Sequence, residues 1–146
     1  MVEDRFVDPS RENFDAFKAL PRDTVIHMLN LLRFRDQAAY PEGHANAGKG
    51  LTGREAYAEY GRTSGRVFTR VGGSVVWRGR MEAMVIGPTD KQWDLAFIAR
   101  YPDAGAFMEM VTDPDYKIAV VNRQAAVLTS RLIRFAPEEG DAGSFG

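Results

Sequence analysis

The chain has 146 residues, 45% of them hydrophobic, enough for one ordinary globular core and too few for two. Its formal net charge of −1 leaves no basic surplus for a phosphate backbone, and no apolar run approaches the roughly 20 residues that span a bilayer, so neither nucleic acid nor a membrane is an expected partner. With no cysteine and two histidines there is no disulfide, thiol nucleophile or ligand set for zinc, and neither metal nor cofactor is expected.

The opening MVEDRFVDPSREN is acidic and polar, unlike a signal peptide, and a cytoplasmic location is the simplest expectation. Ser10 is placed to cap a short helix in which Phe14, Phe17 and Leu20 recur every three residues before Pro21 stops it. Residues 1–23 thus read as an extension carrying one helix. Residues 24–34, TVIHMLNLLRF, are rich in β-formers and apolar on both faces apart from His27, Asn30 and Arg33, which predicts a strand buried on both sides. Residues 35–51 form a Gly- and Ala-rich loop, longer than most connections and either a lid or a plain insertion. A second helix follows, since Thr52 and Glu55 have capping-box spacing and Ala56, Tyr57, Tyr60, Val67, Phe68 and Val71 share a face. Gly72 and Gly73 end it, and Gly61 and Gly65 within it predict close packing or a local break.

Residues 72–101, GGSVVWRGRMEAMVIGPTDKQWDLAFIARY, read as a long antiparallel hairpin turned by GPTDK. Val75, Trp77, Gly79, Met81, Ala83 and Val85 alternate with Arg78, Arg80 and Glu82, and Trp93, Leu95, Phe97, Ala99 and Tyr101 alternate with Asp94, Ala96, Ile98 and Arg100. Pro102 and Asp103 open a helix bearing Phe107, Met110 and Val111, and Asp113 with Pro114 ends it and starts another. Residues 128–135 make the last strand, and residues 137–146 are a polar tail.

Without the first helix the order is strand, helix, strand, strand, helix, strand, the split βαβ or ferredoxin-like arrangement within residues 24–136. The expected fold is therefore α+β, a four-stranded antiparallel sheet with helices on one face and an extra helix before it. A first strand apolar on both sides predicts that the bare face packs on a second copy, giving a homodimer of barrel type.

The succession NLLRFRDQAAYP, TGREAYAEYG, GGSVVWRG with Glu82, DLAFIARYPDAGAF, DPDYKIAVVNR and SRLIRF resembles the uncharacterised domain-of-unknown-function family 1330 of the dimeric α+β barrel superfamily, across residues 24–135. The resemblance implies a ferredoxin-like homodimer. Its superfamily relatives include cofactor-independent monooxygenases, muconolactone-type isomerases, haem-degrading enzymes and stress-responsive binding proteins, so it implies architecture and leaves chemistry open.

Two functional expectations follow. In the first, the homodimer binds an unknown small molecule, planar or carboxylate-bearing, in a pocket between sheet and helices, with cofactor-independent oxygenase or isomerase chemistry as the relatives suggest. His27 then moves a proton, Arg33 and Arg123 anchor an anion, and Trp93, Tyr101 and Tyr116 shape the pocket. In the second, the dimer binds or supports without turnover, the pocket is filled by side chains, His27 bonds to the main chain, and Arg123 caps a carbonyl or pairs with Asp113 or Asp115. Arg78, Arg80 and Arg100 with Glu82 and Asp94 read as one polar sheet face, either an anion site or a set of interface ion pairs. GHANAGKG, residues 43–50, approaches a P-loop but places Gly50 where a hydroxyl must hold magnesium.

Overall fold

A computed structural model describes residues 4–138. Its elements are α1 (Arg11–Ala19), β1 (Ile26–Phe34), α2 (Gly53–Arg70), β2 (Ser74–Gly79), β3 (Leu95–Tyr101), α3 (Ala104–Thr112), α4 (Pro114–Ala126) and β4 (Val127–Phe135). Each helix starts where a short polar side chain can satisfy its first amides. Ser10 accepts from the Asn13 amide, Asp103 from that of Ala106, and Asp113 from those of Asp115 and Tyr116. Thr52 and Glu55 close a reciprocal capping box at α2. Gly53, the first residue after the Thr52 cap, is buried against the Arg35 and Ala126 carbonyls, and a Cβ there would lie 2.2 Å and 2.7 Å from those oxygens. Only glycine lets α2 begin this close to the ends of β1 and α4. The helix then runs unbroken through Gly61 and Gly65, both facing open space, so the expected packing contact or break at these glycines does not occur.

The four strands form one antiparallel sheet in the order β2-β3-β1-β4, with helices on one face. This is the ferredoxin-like α+β fold with an added helix at its start. Ile26, Met28, Asn30, Leu32 and Phe34 of β1 are buried beneath α2, α3 and α4, as are Ala99 and Tyr101 of β3. Phe17 of α1 joins this core through the Phe107 ring at 5.1 Å.

The other face has no helical cover. Register places its residues in rungs across the strands: Phe135, His27, Arg100 and Ser74; then Ile133, Leu29, Ile98 and Trp77; then Arg131, Leu31, Ala96 and Gly79. The β1 strand is therefore buried on one side only within a single chain.

The hairpin departs from its sequence reading in two ways. A register shift between Val75 and Trp77 puts Val75 opposite Ala99 on the helix face but Trp77 opposite Ile98 on the open face, and Arg78 opposite Phe97 beneath the helices. Arg78 and Arg100 therefore lie on opposite faces, and the expected polar face of Arg78, Arg80 and Arg100 with Glu82 and Asp94 does not form. The second departure is length. The β2 strand ends at Gly79 and β3 begins at Leu95, leaving residues 80–94 as an arm outside the sheet. Its MEAM segment is composed of poor strand formers, and Asp94 is drawn to β1, accepting from the Phe34 amide at 2.8 Å while its own amide donates to the Leu32 carbonyl.

Candidate functional site

Between sheet and helices, Tyr57 packs tilted against Tyr60 at 5.3 Å and Tyr60 packs edge-on against Tyr116 at 6.1 Å, and the Tyr60 and Tyr116 hydroxyls are hydrogen-bonded at 2.9 Å. Tyr101 packs edge-on against Phe68 and Phe107 and donates to the Met110 sulfur. Burial pushes the phenols of Tyr57, Tyr60, Tyr101 and Tyr116 up from their ordinary values. They stay neutral, so this layer offers hydroxyl donors and no base. Tyr101 and Tyr116 are thus core residues, and the described cavities lie elsewhere.

Arg123 projects to the outer edge of β4, where it donates to the Val7 carbonyl and to Ser130 Oγ. It does not meet Asp113, which pairs with Arg70 at 2.8 Å. The same edge carries the segment of residues 4–8: the Phe6 amide donates to Thr129 Oγ1, and Ser130 Oγ donates to the Phe6 carbonyl. Arg131 lies between the Phe6 and Trp93 rings, 5.0 Å and 5.2 Å from their centres, and bonds to Asp4 at 2.7 Å. Lys91 reaches the same carboxylate at 2.9 Å. Trp93 therefore clamps the start of the chain and does not line a pocket beneath the helices.

His27 and Arg33 share a face, but it is the open one, on the far side of the sheet from the helices. Six residues of strand separate them by about 20 Å, so they cannot serve one small ligand. The expected site of His27, Arg33, Trp93, Tyr101, Tyr116 and Arg123 is thus not assembled in one place. His27 instead stands directly opposite Arg100 on β3. The two line a groove of about 660 Å³ with Arg134, Thr24 and Glu138 among its polar residues and Leu20, Pro21, Val25 and Pro137 among its apolar ones. Arg134 is held by the Phe17 and Pro21 carbonyls and over the Phe17 ring. Neither His27 nor Arg100 has a side-chain hydrogen-bond or ion-pair partner among the described residues, so two donors face the groove unengaged. Sequence reasoning had Arg100 in a different cluster and passed over Arg134. The meeting of Arg100 with His27 depends on strand register, which no local pattern encodes, while Arg134 reaches the groove from the helix face, opposite Met28.

A second cavity of about 610 Å³ lies at the start of α3, beside Arg22, Asp103 and Glu109; the Asp103 carboxylate is already used as the helix cap. The loop of residues 35–51 is packed down, with Tyr40 donating to Asn122 at 2.6 Å and stacking on His44 at 4.7 Å. The start of α2 after GHANAGKG is closed by its own capping box, which leaves no phosphate cradle there. Among the described residues no group of three His, Cys, Asp or Glu could hold a metal ion, and no helix is long and apolar enough to cross a membrane.

Comparison with known structures agrees with this architecture. A protein of unknown function from Rhodopseudomonas palustris is 53% identical, with a TM-score of 0.85 over 93% of this chain and 99% of that one. Its methylated form gives 51% identity and a TM-score of 0.87 over 97% of this chain and 100% of that one. SnoaB, a cofactor-independent oxygenase from Streptomyces nogalater, is 16% identical, with a TM-score of 0.51 over 80% of this chain and 96% of that one, a likeness of fold alone. The curated proteins gave no match. The model of the domain of unknown function DUF1330 matches residues 47–134, more than half of the chain, and the protein belongs to that family.

Proposed function

We propose that this protein is a homodimeric small-molecule-binding protein whose site is the groove of His27 and Arg100, taking a ligand with a carboxylate and an apolar, planar body. The observation that carries the reading is the adjacent pair of His27 and Arg100, both without side-chain partners among the described residues and both facing a groove with apolar walls. An arginine offers a carboxylate two parallel N–H donors, and an imidazole beside it can give or take a proton at the ligand. Leu20, Pro21, Val25 and Pro137 then shield the ligand body. Isomerase or cofactor-independent oxygenase chemistry on the held ligand, with His27 moving the proton, is the finer form of this reading, and binding without turnover uses the same groove. The homodimer is supported by the open face, whose central rung of Ile133, Leu29, Ile98 and Trp77 is wholly apolar.

A thermal-shift series tests the site. Benzoate, other aromatic acids and small dicarboxylates are compared with their uncharged amides, on the wild type, Arg100→Ala and Arg33→Ala. At one hundred times its dissociation constant a ligand stabilises the native state by about 2.7 kcal/mol, a shift of several degrees. The acids are expected to raise the melting temperature of the wild type and Arg33→Ala, and to leave Arg100→Ala unmoved. An acid that shifts Arg100→Ala as far as the wild type would contradict the assignment.

A further inference from the structure

The helices leave one margin of their own side of the sheet open. Strand order puts β2 at an edge beside β3, and register turns its Val75 and Arg78 to the helix side, opposite Ala99 and Phe97. Val75 is 47% exposed there, and Leu95 and Phe97 of β3 are only half-buried. The wall of this margin is α2. Its Tyr60 turns to α4 and bonds to Tyr116, whereas its Phe68 packs edge-on against Tyr101 of β3. The helical repeat puts Arg54, Tyr57 and Gly61 on the Phe68 flank, and a Cβ at Gly61 would meet nothing within 4 Å. The result is an open crevice between α2 and the β2 edge.

Tyr57 is the polar group that this crevice leaves unanswered. All five tyrosines of the chain lie among the described residues. Four have hydroxyl partners: Tyr40 donates to Asn122, Tyr60 and Tyr116 bond to each other, and Tyr101 donates to the Met110 sulfur. Tyr57 is only 9% exposed, yet its hydroxyl has no hydrogen-bond partner among the described residues. Nor is its oxygen sealed in, because the one fully enclosed, unpartnered side-chain polar atom among those residues is Arg35 Nε. Burial keeps the phenol neutral, so it is a donor without an acceptor.

Arg78 supplies charge beside it. The field of this guanidinium acts on the Tyr57 phenol, and Arg78 has no side-chain hydrogen-bond or ion-pair partner among the described residues. A second guanidinium, that of Arg54, lies 5.1 Å over the Phe34 ring, which packs at 5.2 Å against Tyr57, and Arg54 also has no acid partner among them. Acids on α2 and at the start of β3 are engaged elsewhere: Glu55 by the Thr52 cap, Glu59 by Arg62 and Asp94 by the Phe34 amide.

We propose that this crevice is a second ligand site, taking a phosphate monoester with a flat, apolar body. Its phosphate oxygens accept from the Tyr57 hydroxyl and the Arg78 guanidinium, Arg54 adds the second positive charge, and the body lies over Phe97 and Val75. A guanidinium gives phosphate two parallel N–H donors, and two uncompensated cations match a dianion, whereas the groove sets one unengaged arginine beside a histidine. Arg78 and Phe97 are on the opposite face of the sheet from His27 and Arg100, so the inference stands without the groove reading.

Phenyl phosphate is the probe, followed by thermal shift and titration calorimetry on the wild type, Tyr57→Phe, Arg78→Ala and Arg100→Ala. Each substitution removes a group with no partner in its own chain, so the melting temperatures without ligand are expected to agree. Phenyl phosphate is expected to stabilise the wild type and Arg100→Ala equally, and to bind Tyr57→Phe and Arg78→Ala at least about tenfold more weakly, the loss of one hydrogen bond to a charged oxygen. Unchanged affinity in Tyr57→Phe and Arg78→Ala would overturn the proposal. So would a loss in Arg100→Ala alone, which would move the ester to the groove, or a wild type that takes up no phenyl phosphate at millimolar concentration. The benzoate series on Arg100→Ala reads the groove separately, so failure of one site is distinguishable from failure of the other.

Discussion

Asp4 shows how much a single side chain can organise at the edge of this sheet. It accepts hydrogen bonds from Arg131 and Lys91, which hold its carboxyl well below the usual carboxylate range. Because the folded state binds this proton more weakly than the unfolded chain, the stability it contributes is present above the ordinary carboxylate pKa and is lost as the pH falls below it. Asp4→Asn is therefore expected to lower the melting temperature at pH 7 and to flatten its decline below about pH 4. An unchanged acid slope in the variant would contradict this. None of it was legible from the sequence, since Asp4, Lys91 and Arg131 lie far apart along the chain. For His27 the two-residue strand period did indicate its face and its sharing with Arg33. The distance between the two and the presence of Arg100 opposite were beyond any local pattern.

Elements were read best where short-range chemistry decides them. The caps at Ser10, Thr52, Asp103 and Asp113 lie where side-chain spacing put them, because a cap is satisfied within its own first turn. The hairpin was read too long and with one strand turned over. Alternation cannot register the extra residue between Val75 and Trp77, and past that point every side chain changes face. The same shift brings Trp77 into the apolar rung with Ile98, and so extends the apolar surface of the open face. Sedimentation is expected to find the wild type dimeric at micromolar concentration and Ile98→Asp monomeric with the same circular dichroism. A monomeric wild type at that concentration would remove the homodimer from the account.

At the scale of the molecule, the order of strands and helices made the ferredoxin-like fold legible, and the family membership agrees with it. The groove proposed as the site was not legible in the same way. A pocket beneath the helices is the natural guess for a sheet with one covered face, yet that layer is packed with hydrogen-bonded tyrosines, and the unpartnered pair of His27 and Arg100 lies on the uncovered side. The fold thus places this pair of donors on the face that a second copy would close. Only two histidines are present, His27 in the groove and His44 in the loop before α2. A proton–carbon NMR titration of their imidazole signals with an acid that stabilises the protein is therefore the most direct measurement. The account predicts that the His27 signal moves to saturation while that of His44 stays in place. Saturable binding that leaves His27 unmoved would contradict it.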